Sequence, residues 1–178
     1  MSQSRWTAGV ALALAMGAGA VWAQGKPGPW SSTVKAGWGG LKKNLTGSAA
    51  LLTEADYGFK PAPAVRSFGQ LIGHVANDHY LICSAAKGEK NPQAGVDFEK
   101  TTGKAALVKA LQDSIAYCDG VYDTITDTKG AEIVEMFGGS YPRLGALTIN
   151  VTHSSEHYGN LVTYLRLKGL VPPSSAGQ

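Results

Sequence analysis

Apolar residues recur every three or four positions in four segments of this chain, which is the spacing of amphipathic helices. Residues 65–87 and 101–126 carry the clearest stripes. Their apolar positions are Phe68, Leu71, Ile72, Val75, Leu81 and Ile82 in the first segment, and Leu107, Leu111, Ile115, Cys118, Tyr122 and Ile125 in the second. Residues 31–53 and 142–169 predict two further helices. Since no repeat and no strand pattern with a hairpin signal accompanies them, the sequence predicts an all-α fold of four helices.

Residues with strong preferences for helix ends bound these segments. Ser31 and Ser32 are good N-caps for the first helix, and Gly88 is a natural C-cap residue for the second. Pro142 suits the first turn of the fourth helix, and Gly169 lies just past its end. We interpret the remaining segments as connections: residues 56–63, 89–100 and 127–140. The last of these could contain a short extended or single-turn piece.

The first 23 residues have the composition of a secretory signal peptide. Arg5 precedes an apolar run at residues 10–21, and Ala23 is the small residue after which cleavage is expected. An uncleaved membrane anchor is the alternative, but the apolar run is shorter than the roughly 20 residues of a membrane span. We therefore expect an exported protein, periplasmic or secreted. Its predicted parts are an extended arm (24–30), one helical domain (31–173) and a flexible tail (174–178).

The charge and hydropathy of the remaining chain exclude two classes of partner. The protein has 16 basic and 13 acidic residues, and cleavage of the leader removes one basic residue, Arg5. Because there is no arginine-rich stripe and no run of lysines, we expect no nucleic-acid partner. No segment after the leader is long and apolar enough to cross a membrane. The partners that we expect are a small molecule and, as a further option, a second copy of this chain in a homodimer.

Cys83 and Cys118 are the two cysteines of the chain, and in an exported protein such a pair is a candidate disulfide. Two buried, reduced thiols are the alternative. The cysteines lie about 17 or 18 residues into the second and third predicted helices. A disulfide needs a Cα separation of about 5.5 Å, and parallel helices would bring both cysteines to one height. A disulfide therefore predicts an up-down-down-up four-helix bundle.

His153 and His157 are four residues apart in the fourth predicted helix, so their rings project from one face. Such a pair is a common source of two nitrogen ligands for a divalent metal ion. Asn150, Asn160 and Tyr164 extend the pair into a polar stripe beside the apolar stripe. The histidines therefore face a neighbouring helix, where half-buried imidazoles need partners, and a metal ion is one. Asn150 and Asn160 are candidates for a fourth ligand or for a contact to a ligand.

His74 has the same border position on the second predicted helix and completes a candidate three-histidine metal site. Asp78, one turn further along that face, is a candidate for orienting a ligand or for a fourth ligand. His79 points about 140° away from His74, so we interpret it as a polar or packed histidine outside the site. Glu156 lies about 100° round the helix from His157; it could approach the metal from the rim, although a surface carboxylate is the ordinary interpretation.

Two hydrolase motifs are absent from the sequence. The zincin motif needs a glutamate directly after its first histidine, and Ser154 stands there. A serine hydrolase of the α/β type needs Gly-x-Ser-x-Gly at a strand-to-helix turn, and no such segment occurs. We therefore assign no catalytic residue from the sequence.

Three segments resemble the DinB-like superfamily of four-helix-bundle proteins with metal sites. They are SFGQLIGH at residues 67–74, HSSEHYGNL at residues 153–161, and YLR at residues 164–166 with Gly169, Pro172 and Pro173 behind it. The resemblance covers essentially all of the chain after the leader. It implies the up-down-down-up topology and a metal site of His74, His153 and His157, holding a divalent ion such as zinc, nickel or iron. Where such proteins are enzymes, it implies transfer or hydrolysis with a low-molecular-weight thiol.

Two features separate this chain from the thiol-dependent relatives. An exported protein meets little of a cytosolic thiol, and Tyr158 stands where the family often has a basic residue. Three neutral imidazoles leave coordination positions open for water or substrate, as in catalytic zinc sites. The sequence thus predicts a metal-dependent hydrolase or transferase of unknown substrate. The alternative is a non-catalytic protein that binds a metal or small ligand, in which the metal joins two helices.

Overall fold

Helices make up most of the computed structural model, which describes residues 26–177; the predicted signal peptide, residues 1–23, lies outside the described residues. The helices are α1 (Pro29–Leu51), α2 (Phe68–Lys87), α3 (Lys104–Tyr122), the one-turn α4 (Asp127–Gly130) and α5 (Arg143–Leu167). Two strands, β1 (Ile133–Met136) and β2 (Gly139–Pro142), precede α5, and 3-10 turns lie at Ala55–Gly58, Phe98–Lys100 and Pro173–Ser175. Within residues 26–177, no helix is long and apolar enough to cross a membrane. The prediction of a mostly helical fold is confirmed.

The observed helix ends follow capping contacts more closely than apolar stripes. Helix α2 begins at Phe68 rather than at residue 65, because Ser67 and Gln70 form a reciprocal capping box. Helix α1 begins at Pro29, inside the segment predicted to be extended, and Asp127 accepts hydrogen bonds from two backbone amides of its first turn. A carboxylate at a helix N-terminus stabilises the free amides there. Since this carboxylate comes from a distant part of the chain, local sequence could not reveal it.

Strands β1 and β2 form an antiparallel hairpin, with Met136 opposite Gly139. The expectation that the chain has no hairpin is therefore wrong. The two turn residues, Phe137 and Gly138, have φ angles of 54° and 75°, and a tight two-residue hairpin turn requires such positive values. The sequence has Phe-Gly at this turn instead of the usual Asn-Gly or Asp-Gly signal, and phenylalanine seldom adopts a positive φ. The turn residues therefore gave no sign of a hairpin.

Helices α2 and α3 run parallel, as the cysteine positions predict for a disulfide. Near the helix starts, Leu107 of α3 packs against Gly69 of α2. Near the helix ends, Cys83 and Cys118 form a disulfide with a Cα separation of 5.4 Å. Both cysteines are fully buried, so this covalent link lies in the core. The connection between the two helices must therefore return along the length of α2.

Two other neighbouring pairs, α1 with α3 and α2 with α5, are antiparallel, so α1 and α5, which are also neighbours, run parallel. The Lys104 ammonium at the start of α3 donates to two backbone carbonyls at the end of α1. Arg143 at the start of α5 donates to the carbonyl of Ala86 at the end of α2. The Tyr164 hydroxyl near the end of α5 donates to the carbonyl of Arg66 just before α2. This pairing of α2 with α5 brings the faces that carry the predicted metal ligands together.

His79 lies in the core where α2, α3 and α5 meet. Its Nδ1 is 3.0 Å from the Ser114 hydroxyl and its Nε2 is 3.2 Å from the Ser154 hydroxyl. The Trp38 ring packs edge-on against it and stacks on Tyr122, with ring centroids 5.0 and 4.9 Å apart. The interpretation of His79 as a packed histidine agrees with this environment. Its two hydroxyl partners fix the position of α2 against both neighbouring helices.

Unfolding should become easier in acid because of His79. Burial, with a smaller effect of His153, lowers its pKa to about 3 in the folded protein, against about 6.5 in an unfolded chain. The unfolded state therefore takes up the proton first, and stability present above about pH 6.5 is lost as the pH falls toward 3. We expect a loss of up to about 3 kcal/mol in unfolding free energy between pH 7 and pH 4. Urea titrations at both pH values, with a chelator present, should show a shallower dependence for His79→Gln; equal dependence would contradict the role.

Candidate metal centre

Three imidazole rings and one carboxylate converge between α2 and α5. Oδ2 of Asp78 lies 3.0 Å from Nε2 of His74 and 3.4 Å from Nε2 of His153. Nε2 of His157 lies 3.0 Å from Nε2 of His153. One ligand atom from each of the four side chains lies within 4.8 Å of the others. All four members of this group were candidate site residues from the sequence, and together they are able to hold a metal ion.

The positions of the four side chains follow from two i, i+4 pairs on antiparallel helices. His74 and Asp78 lie one turn apart on α2, and His153 and His157 lie one turn apart on α5. The buried hydrogen bond between His79 of α2 and the hydroxyl of Ser154 of α5 sets the register of the two helices beside the group. The two pairs therefore face each other at one level of the helix pair.

The spacing and chemistry of this group fit a divalent ion. Ligand atoms about 2.0–2.1 Å from a tetrahedral ion lie about 3.3 Å from one another, and the separations of 3.0 and 3.4 Å between atoms of this group are close to that value. Oδ2 of Asp78 is buried and makes no hydrogen bond within the described residues. A buried carboxylate oxygen without a donor is destabilising, and a cation would satisfy it. Imidazole and carboxylate ligands suit zinc, nickel and iron alike.

The surroundings of His157 favour its neutral imidazole at physiological pH. Burial, together with His153 and His74, lowers the pKa of His157 to about 4. Burial also raises the pKa of Asp78, although the positive forms of His74 and His153 oppose this. A neutral imidazole is the form that coordinates a metal, because its lone pair is free. His157 is therefore ready to bind at neutral pH.

A cleft of about 630 Å³ opens beside His157. Glu156 and Asn160 both line this cleft, and Glu156 does not belong to the group of converging ligand atoms. The cleft is completed by Lys60, Pro63, Ala64, Val65, Arg66, Gln70, Leu71 and Tyr164. The centre is thus accessible to a small molecule from the side of His157.

Asn150 does not join the group, although it shares the polar stripe of α5. It is fully buried, and its amide donates a 3.1 Å hydrogen bond to the Tyr122 hydroxyl. That hydroxyl in turn donates to the carbonyl of Leu147. Asn150 therefore links α5 to α3 through the Tyr122 hydroxyl.

Residues 41–161, more than half of the chain, match the model of the DinB superfamily. The chain belongs to the DinB superfamily. The family resemblance recognised in the motifs is thus confirmed. YjoA of Bacillus subtilis is 25% identical to the chain over 130 residues, which cover 71% of this chain and 84% of that protein.

Two solved structures show how widely the fold of this DinB protein is shared. A DinB-like protein from Bacillus cereus has a TM-score of 0.66 at 18% identity, covering 80% of this chain and 95% of that one. A mycothiol-dependent maleylpyruvate isomerase has a TM-score of 0.61 at 17% identity, covering 74% of this chain and 60% of that one. At such identities the likeness establishes the fold alone.

Glu99 is the site residue that sequence reasoning missed. It lies in the connection between α2 and α3, and its Oε1 is 2.7 Å from Nδ1 of His74. Arg66 donates to both of its oxygens, at 2.9 and 3.2 Å. Burial favours a higher pKa for Glu99, but the hydrogen bonds from Arg66 and His74 outweigh it and lower that pKa. A glutamate in a connection without periodicity carries no signal that could have identified it.

Contacts with α2 hold the connection in place. The side chain of Asn77 accepts a 2.9 Å hydrogen bond from the Phe98 amide and donates a 3.1 Å bond to Asp97. Gly73, the residue before His74, lies against the carbonyl of Phe98, where a β-carbon would overlap it. The absence of a side chain at Gly73 therefore lets the backbone carrying Glu99 approach His74.

We expect Gly73→Ala to lower the free energy of unfolding by about 2 kcal/mol, because the new methyl group forces the connection away from α2. In an open helix position, glycine to alanine instead stabilises by up to about 1 kcal/mol. Gly120 of α3 is the matched control, since a β-carbon there meets nothing within 4 Å. Urea unfolding of Gly73→Ala and Gly120→Ala measures the contrast. Stabilisation of both variants would show that the connection is not packed on Gly73.

Proposed function

We propose that this DinB protein is exported, that its long helices form an up-down-down-up four-helix bundle, and that it binds one divalent ion through His74, His153 and His157. With that ion it acts as a hydrolase or transferase on a small molecule in the adjoining cleft. The observation that carries the proposal is the convergence of three Nε2 atoms and Oδ2 of Asp78 beside an accessible cleft. A bound divalent ion supplies a polarised substrate oxygen or sulfur, or an activated water.

Residues around the cleft have the chemistry to hold a polar substrate near the ligand atoms. Lys60 and Arg66 contribute positive charge, while Asn160 and Tyr164 contribute groups that donate and accept hydrogen bonds. Glu156 contributes a carboxylate that can accept a proton at the mouth of the cleft. These groups would bind and orient the substrate, and Glu156 is the candidate base.

Export is supported by the buried disulfide and by the leader predicted at residues 1–23. Disulfides persist in oxidising compartments and are rare in the cytoplasm, and Cys83 and Cys118 form one in the core. The shared fold with a mycothiol-dependent isomerase keeps thiol chemistry among the reactions to test. A cytosolic thiol is scarce outside the cytoplasm, so hydrolysis is the reaction that we favour.

A non-catalytic metal protein is the second candidate, and the position of Asp78 favours it. With Asp78 as a fourth ligand, the site would have the four protein ligands of a structural zinc site. The ion would then join α2 to α5 without an open position for water. In the catalytic alternative, Asp78 stays outside the coordination shell or leaves room for a fifth ligand.

Metal analysis of the untagged, mature protein tests both candidates, since a polyhistidine tag would add ligands of its own. We expect one equivalent of a divalent ion per chain in protein recovered from the periplasm or medium. A screen of esters, amides and thiol-transfer substrates follows, before and after chelation and metal restoration. Turnover that disappears and returns with the ion supports the enzyme; one bound ion with no turnover and no exchangeable water supports the structural site. Absence of bound ion after loading would reject both.

A further inference from the structure

His74 is held differently from the other two histidines of the candidate metal centre. Its Nδ1 is 2.7 Å from a carboxylate oxygen of Glu99. Nδ1 of His153 and Nδ1 of His157 are buried and make no hydrogen bond within the described residues. Among these three rings, a polar partner behind the ring therefore orients His74 alone.

The Glu99 contact determines which nitrogen of His74 carries hydrogen. A carboxylate only accepts hydrogen bonds, so the Nδ1 atom facing it must be the donor. When an ion lies between Nε2 and Asp78, the ring keeps its hydrogen on Nδ1 and offers the lone pair of Nε2, which faces Asp78 at 3.0 Å and the rest of the ligand group. A carboxylate behind a metal-binding imidazole sets both the tautomer and the orientation of the ring in this way.

Glu99 is itself oriented from two sides. Arg66 grips both carboxylate oxygens with its guanidinium fork, a geometry that fixes the plane of the carboxylate. The carbonyl of Arg66 accepts a 2.6 Å hydrogen bond from the Tyr164 hydroxyl of α5. The contacts thus connect α5, through Arg66 and Glu99, to the ligand on α2.

A role in stability alone explains this arrangement poorly. The side chain of Arg66 is 42% exposed, and ion pairs with an exposed partner contribute little to stability. The contact between Glu99 and His74 is shorter, at 2.7 Å against 2.9 Å, and His74 is less exposed than Arg66. This contact therefore acts on the orientation of the His74 ring and on its Nδ1 hydrogen, rather than on how firmly the connection between α2 and α3 is held to α2.

We propose that Glu99 is a positioning residue of the metal centre, which holds His74 as the tautomer that presents Nε2 to the ion, while Arg66 fixes Glu99. This inference rests on the proposed metal binding for its functional meaning. The contact between Glu99 and Nδ1 of His74 is present without the ion, so the hydrogen on Nδ1 can be measured independently of the ion.

The test compares Glu99→Gln with Glu132→Gln, a control that loses the carboxylate of another arginine pair, formed with Arg143 at the start of α5. Glutamine keeps the size of Glu99, but its amide can either accept or donate, so both tautomers of His74 become possible. Nitrogen-15 spectra of the histidine rings in metal-free protein report the tautomer. Competition with a chromogenic chelator reports zinc affinity, and thermal unfolding reports stability.

We expect Glu99→Gln to lose the hydrogen that Glu99 holds on Nδ1 of His74 and to bind zinc about 10–100-fold more weakly, while Glu132→Gln matches the wild type in both. Arg66→Lys, which keeps the charge but not the fork, should lose less affinity than Glu99→Gln. An unchanged tautomer in Glu99→Gln, or equal losses of zinc affinity in Glu99→Gln and Glu132→Gln, would overturn the proposal. If the wild type binds no zinc, the proposed function fails, and the ring spectra still decide the role of Glu99.

Discussion

Replacing His157 with alanine is expected to weaken zinc binding by on the order of a thousandfold, because it removes one of three nitrogen ligands. Apparent binding free energies of closed zinc sites are about 10–16 kcal/mol, shared among a few ligands. Loss of one ligand should therefore remove about 4 kcal/mol, or about three powers of ten in affinity. His157 is only 7% exposed, and its pKa is lowered. Its ring is therefore neutral at neutral pH, which is the form that coordinates a metal.

The neighbouring carboxylate gives a matched control for this experiment. Glu156 precedes His157 on α5 but lines the cleft and does not belong to the group of converging ligand atoms. Glu156→Gln should therefore bind zinc within about threefold of the wild type, since it removes no ligand. Chelator competition measures both affinities. Wild-type affinity in His157→Ala would show that the histidines do not form the metal site, and a large loss in Glu156→Gln would make Glu156 a ligand.

The ligand group could be predicted because its geometry is local to two helices. An i, i+4 pair on α2 and another on α5 each specify a face from spacing alone. Each pair also lies at the border between the polar and apolar stripes of its helix, where a side chain faces a neighbouring helix. The two pairs are therefore expected to face each other. Asp78 was named with the histidines for the same reason, as it lies one turn from His74 on α2. Helical periodicity thus gives each pair, and the family resemblance implies that His74 joins His153 and His157.

Asn150 shows where that argument fails. It shares the stripe of His153, but it lies three residues and about 4.5 Å earlier along α5. At that level the stripe faces the Tyr122 hydroxyl of α3 rather than α2. Periodicity gives the direction of a side chain and its height on its own helix. Which neighbour stands at that height depends on how the helices are packed.

Glu99 and the hairpin escaped prediction for a different reason, because each depends on contacts outside regular helices. Glu99 reaches His74 because Gly73 and Asn77 bring the connection against α2. The hairpin turns at Phe137, whose positive φ runs against the preference of its residue type. These connections therefore hold contacts that the helical pattern cannot predict, including the one between Glu99 and His74.

The disulfide has the second large expected effect. Cys83→Ala combined with Cys118→Ala should lower the free energy of unfolding by about 4 kcal/mol, the chain-entropy value for a loop of the 35-residue separation between them. Alanine avoids placing hydroxyl groups at two fully buried positions. Urea titration of the metal-free variant and wild type measures the difference, and wild type unfolded in the presence of a strong reductant should approach the variant.

The position of the disulfide decides how far its removal should reach. It joins the ends of α2 and α3, whereas the proposed metal ligands lie earlier on α2 and on α5, which pair through the His79–Ser154 hydrogen bond. The folded variant should therefore keep zinc affinity within about threefold of the wild type while losing stability, since local binding geometry and unfolded-state entropy are separate quantities. A stability loss below about 1 kcal/mol would contradict the entropic account. A loss of zinc affinity in step with stability would instead show that the disulfide holds α2 in the position that the ligands need.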